Sequence, residues 1–157
     1  MSIKPLILTL GLAACSGSQD AALAGREALD SGNHAEALSH FDKALAERTS
    51  ADPDFYELSI DRMRAMAYHQ PDSVPAAVTT LASQATVTAR DYRSITTDLV
   101  SAKEFVSAVN VMDLGLTAYP DDAKMVAVKD KVIAESKAAG DAGALEALAG
   151  MGYLGGD

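Results

Sequence analysis

Tryptophan is absent from this chain of 157 residues, and aromatics make up only 5% of it. Hydrophobic residues still reach 48%, so alanine and short aliphatics carry the apolar mass. That balance argues against a β-sandwich or barrel and favours closely packed helices. There is one cysteine, Cys15, which excludes an intramolecular disulfide and a cysteine-based zinc site. Cations are scarce, 13 Lys and Arg against 22 Asp and Glu, for a formal net charge of -9. Phosphate binding needs a concentrated basic surface, so nucleic acid is not an expected ligand.

Catalytic groupings are also missing. The three histidines, His34, His40 and His69, stand in no H-E-x-x-H or other ligand spacing. His34 is expected in a turn and His40 on a helix beside Phe41, facing water. Asp52, Asp54, Asp121 and Asp122 cluster at expected helix starts, where the backbone dipole accounts for them without chemistry. No glycine-rich phosphate loop follows a strand. Neither an enzyme activity, a metal nor a cofactor is expected.

The first fifteen residues read as an address. A weakly basic start precedes the apolar run Pro5 to Ala14, far shorter than the ~20 residues that span a bilayer. Leu12-Ala13-Ala14-Cys15 closes the run, and polar residues 16–20 follow at once. This resembles a bacterial lipobox, in which a signal peptidase cuts before the cysteine. The resemblance implies a signal peptide over 1–14 and a diacylglycerol thioether on Cys15. It also implies a tether over 15–20 and a location in the cell envelope. Ser16 rather than Asp after the cysteine implies outer-membrane sorting, facing the periplasm. Each buried CH₂ of such an anchor contributes about 0.8 kcal/mol.

Helix signals then recur to the end of the chain. Asp20 is the expected cap of a first helix ending at Ser31-Gly32, and a second runs near 34–48 with Ala37, Phe41 and Ala44 on one side. Asp52-Pro53 marks the start of a third, reaching about His69, with Tyr56, Ile60, Met63 and Ala67 on one face. Pro75 opens a fourth with Ala77, Val78 and Leu81. Thr88-x-x-Asp91 reads as a capping box for a fifth carrying Tyr92, Ile95 and Leu99. A sixth is expected from near Lys103 to Tyr119-Pro120, a seventh from Asp121-Asp122 to Gly140, and a short eighth from Asp141 to about Ala149. No strand is expected.

The helices come in pairs, and the pairs resemble the tetratricopeptide repeat, a helix–turn–helix unit of about 34 residues. Gly25, Gly32, Ala37, Phe41 and Ala44 match the pattern in the first copy, though Ala21, Ala24 and Ala28 stand where bulkier residues are usual. Ala65, Tyr68, Ala77 and Leu81 match in the middle copy, with Asp61 where a large aromatic is common. Tyr92, Ile95, Leu99, Phe105, Ala108, Met112, Gly115 and Pro120 match in the third. The landmarks Ala37, Ala77 and Ala108 are 40 and 31 residues apart, so the repeat is irregular. The resemblance implies an all-α, solenoid-like domain over 21–149, with about three helix pairs and a capping pair from 121. The tail over 150–157 is similar to the C-termini of some bacterial repeat proteins, with Tyr153 and Leu154 expected to fold over an open edge; the alternative is a docking tag for another protein.

A stack of helix pairs implies a hollow lined by the first helix of each. By comparison with the family's pattern, Arg26, Arg62, Arg90 and Arg93 point into it, near Met66, His69 and Thr97. The implied role is capture of a protein or peptide, acidic where it meets these arginines, by an anchored adaptor. The alternatives are a plain solvated face, and a structural subunit that joins a larger envelope complex through its outer helix faces.

Overall fold

The computed structural model describes residues 14–155, with side chains described from residue 20. Leu12 and Ala13 lie outside the described residues, as do the side chains of Ala14 and Cys15. The described residues are all-helical: α1 (Ala14–Asp30), α2 (His34–Ala46), α3 (Phe55–His69), α4 (Val74–Gln84), α5 (Ala89–Ser101), α6 (Phe105–Ala118), α7 (Ala123–Ala139) and α8 (Ala142–Gly150). Among them there is no strand, and no helix is long and apolar enough to cross a membrane.

Helices α1, α3, α5 and α7 touch in series, as do α4, α6 and α8, while α2 packs on α1 and α3. One continuous core joins them, with Phe41, Leu58, Ile95, Leu99, Met112, Met125 and Leu148 fully enclosed. Two glycines set how closely helices approach. A Cβ added at Gly25 would lie 2.7 Å from the Phe41 ring, so the absent side chain is the seat of that ring. At Gly115 an added Cβ would lie 2.9 Å from Cβ of Tyr92. A backbone-anchored neighbour of that kind cannot swing aside.

Three expected caps are in place. Thr88, Asp122 and Asp141 accept from the backbone N–H of Asp91, Met125 and Ala144 respectively. Three starts differ from expectation, those of α1, α3 and α6. Helix α1 begins at Ala14, so residues 15–20, expected as a tether, form its first turns, and Asp20 lies within the helix. No proline interrupts that stretch, and Gly17 inside a helix costs only about 1 kcal/mol. Helix α3 begins at Phe55, because Asp52 turns back to accept from the N–H and hydroxyl of Thr49. Those two bonds hold the Asp52 carboxyl below its usual range.

The ends of helices repeat one closure. After α1, Gly32 takes φ +75° and Asn33 N–H returns to the Ala28 carbonyl at 2.8 Å. After α5, Lys103 takes φ +65° and Glu104 N–H returns to Leu99 at 2.9 Å. Lys103 was expected to open α6; it instead closes α5 in a conformation that favours glycine. Gly140 and Gly152 close α7 and α8 in the same way.

The tail folds back as expected. The Tyr153 hydroxyl donates to Asp113 at 2.7 Å, and Tyr153 and Leu154 pack against the core. Burial, with Asp113 as acceptor, pushes the phenol up to about 12. Truncation after Ala149 should therefore lower the midpoint of thermal unfolding. An unchanged midpoint would mean that the tail covers nothing the fold needs.

Candidate functional site

The face formed by α1, α3, α5 and α7 is crossed by polar bonds from each helix to the next. Arg26 on α1 donates to Asp61 on α3 at 2.9 Å, with Glu57 at 3.7 Å. Arg64 on α3 donates to Asp98 on α5 at 2.9 Å. Arg93 on α5 donates to Asp122, the cap of α7, at 3.2 Å. The Tyr56 hydroxyl donates to Asp91 at 2.7 Å and accepts from the Thr88 N–H at 3.2 Å. Burial, then the Asp91 acceptor, pushes that phenol up to about 12.

The bonded residues stand 35 apart for Arg26 and Asp61, 34 for Arg64 and Asp98, 29 for Arg93 and Asp122, and 35 for Tyr56 and Asp91. Asp61, which departs from the aromatic pattern of the repeat, thus serves as an acceptor for α1. Burial pushes Asp98 up, opposed by the Arg64 guanidinium beside it.

Two open cavities adjoin on this face. One, of about 400 Å³, is lined by Arg26, Tyr56, Glu57, Ile60, Asp61, Arg64, Arg90, Asp91 and Ser94. The second, of about 390 Å³, is lined by Arg90, Arg93, Ser94, Thr97, Asp98, Lys124 and Val128. Arg90 and Ser94 belong to both, so the cavities meet across α5. Arg90 and Lys124 are exposed, and among the described residues neither pairs with a carboxylate.

Of the seven residues expected in the hollow, Arg26, Arg90, Arg93 and Thr97 share this face. Arg62, Met66 and His69 do not. Arg62 donates to Asp42 of α2 at 2.6 Å and lines an apolar crevice of about 300 Å³ between α2 and α4, with Phe55, Met63 and Leu81. Met66 is core, 2% exposed, with its sulfur against the Arg62 guanidinium. His69 borders a recess beside Ala35 and Ser39. The reason is helical geometry: two residues along an α-helix turn through about 200°, so Arg62 and Arg64 leave opposite sides. Arg64 takes the place expected of Arg62.

Sequence reasoning missed Arg64, Glu57, Asp61, Asp98 and Lys124. A signal was present for α3, since positions 57, 60, 61 and 64 form one helical stripe. Lys124 carried none. Elsewhere, His34 is not in a turn: it opens α2 and stacks on Tyr68, centroids 3.9 Å apart and planes 5° apart, with Nδ1 buried and unpartnered among the described residues. No group of three or more His, Cys, Asp or Glu side chains among the described residues is arranged to hold a metal ion.

Compared with known proteins, the chain matches no family model, no curated protein and no solved structure.

The raised Asp98 carboxyl has a consequence for pH. A group that holds its proton more tightly when folded adds most stability below its unfolded value, and that contribution fades as pH rises through the folded value. Starting from about pH 4, the ordinary aspartate range, the stability of the parent relative to Asp98→Asn should fall as pH increases. Urea midpoints of both proteins across this window measure it. A relative stability that rises with pH would mean that the Arg64 pairing outweighs burial.

Proposed function

We propose that the protein is a non-catalytic adaptor of tetratricopeptide-repeat type, held in the bacterial cell envelope by a lipid on Cys15, which captures a protein or peptide. The observation that carries this reading is the α1–α3–α5–α7 face, where inter-helix polar bonds border two adjoining cavities with Arg90 and Lys124, unpaired among the described residues. Support for the repeat comes from three further features. Most of those bonds span close to the 34 residues of one unit. The same backbone closure follows α1 and α5. Aromatic side chains close on Gly25 and Gly115 in the first and third pairs, Phe41 through its ring and Tyr92 through its Cβ.

The partner is acidic at the point where it meets α5 and α7. A carboxylate there receives forked hydrogen bonds from the Arg90 guanidinium and the point charge of Lys124. The lipid fixes the body at the outer membrane on the periplasmic side, so capture takes place near that surface. The apolar crevice between α2 and α4 favours the second reading, a subunit that joins a complex through its outer helix faces.

Crosslinked pull-down from membranes separates the two. Arg90→Ala with Lys124→Ala should weaken capture by at least about tenfold, the size of losing even one charged hydrogen bond. Thr80→Arg with Gln84→Arg, in the crevice, should leave it unchanged. The reverse pattern would put the partner on the outer faces. Cys15→Ala should leave the membrane fraction; a variant that stays there would contradict the lipid anchor.

A further inference from the structure

Taking the α1–α3–α5–α7 face as the binding surface, we infer that its ligand is an extended segment bearing one acidic and one basic side chain about three residues apart, laid in one fixed direction. The inference rests on which charges of the face remain available. In the cavity between α5 and α7, Arg90, Arg93 and Lys124 face one carboxylate, Asp98. Asp98 is already taken by Arg64, and Arg93 is engaged with Asp122. Arg90 and Lys124 are left to receive an anion.

The adjoining cavity shares Arg90 at its α5 edge and differs on its α3 side. Arg26 and Arg64 are both engaged by aspartates at 2.9 Å. Asp91 is engaged by the Tyr56 and Thr88 hydroxyls. Glu57 is 75% exposed and meets Arg26 only at 3.7 Å. It is the carboxylate of this cavity left to receive a cation, beside the Tyr56 ring, over which the stem of a lysine or arginine can lie.

Neighbouring packed helices stand about 8–10 Å apart. A polyproline-like segment rises ~3.1 Å per residue and presents the same side every third residue, about 9 Å. Glu57 on α3 and Arg90 on α5 line one cavity from neighbouring helices, so an acid over Arg90, with Lys124 on its far side, places a base three residues away near Glu57. A wholly acidic segment would set its second charge against Glu57, and the reversed orientation would oppose both ends. The charges thus select direction as well as composition.

Selection of displayed random decapeptides on the immobilised protein tests this, run in parallel on Arg90→Glu/Lys124→Glu and on Glu57→Lys. On the parent, enriched peptides should pair Asp or Glu with Lys or Arg at a spacing of three. The doubly reversed variant should lose the acid, and Glu57→Lys should keep the acid and lose the base. A synthetic peptide of the parent's consensus should bind Glu57→Lys several-fold more weakly. Enrichment of acid-only peptides, unaffected by Glu57→Lys, would overturn the bipolar ligand and leave the adaptor reading standing. Enrichment independent of Arg90 and Lys124, or none at all, would overturn both.

Discussion

The fold depends on one kind of contact, an aromatic side chain resting on a helix where a glycine leaves the backbone bare. Phe41 of α2 sits on Gly25 of α1, and Tyr92 of α5 on Gly115 of α6. A glycine inside a helix costs about 1 kcal/mol relative to alanine, so its presence there needs compensation. Close approach supplies it. Phe41 is fully enclosed and Tyr92 nearly so, and a neighbouring helix at short range is what lets each contribute its burial. Alanines at 22, 28, 37 and 44 continue the same short-range packing along the α1–α2 pair.

Electrostatics operates on the opposite side of the first helices. An acidic chain could have displayed its arginines as a free basic hollow. Instead Arg26, Arg64 and Arg93 are spent joining each first helix to the next. Such pairs add little net stability where they meet solvent, and a partly buried carboxylate such as Asp98 gives part of its gain back as desolvation. What they do contribute is alignment: each pairing is satisfied in one register of neighbouring helices. The same neutralisation removes most of the face's charge and concentrates what is left at Arg90, Lys124 and Glu57.

The helices were legible because their signals are local. Proline at Pro75, the cap at Thr88 and the glycine closures at Gly32 and Gly140 act within one turn of the chain, and the stripes of α2 and α5 repeat at helical spacing. The α3 start was misread because Asp52 had two possible partners, the helix ahead and Thr49 behind, and sequence does not rank them. Lys103 was misplaced because a lysine gives no hint of a left-handed closure. The binding face was half legible. Arginines on first helices could be enumerated, but Arg62 and Arg64 differ only in azimuth, and α3 is buried on several sides, so its one apolar stripe did not say which flank is open. The pairings across helices lie 29 to 35 residues apart, beyond any local pattern.

The central claim is that a missing side chain sets the distance between helices. Urea unfolding of Gly115→Ala, beside Gly150→Ala as a control, tests it most directly. Gly150 is also helical but has no neighbour within 4 Å of an added Cβ, so alanine there should stabilise by up to about 1 kcal/mol through propensity alone. At Gly115 the same change drives a methyl into Tyr92 and Met125 and should destabilise by about 1–3 kcal/mol. If alanine stabilised both positions alike, the helices would not be held apart by that contact, and the account of the packing would be wrong.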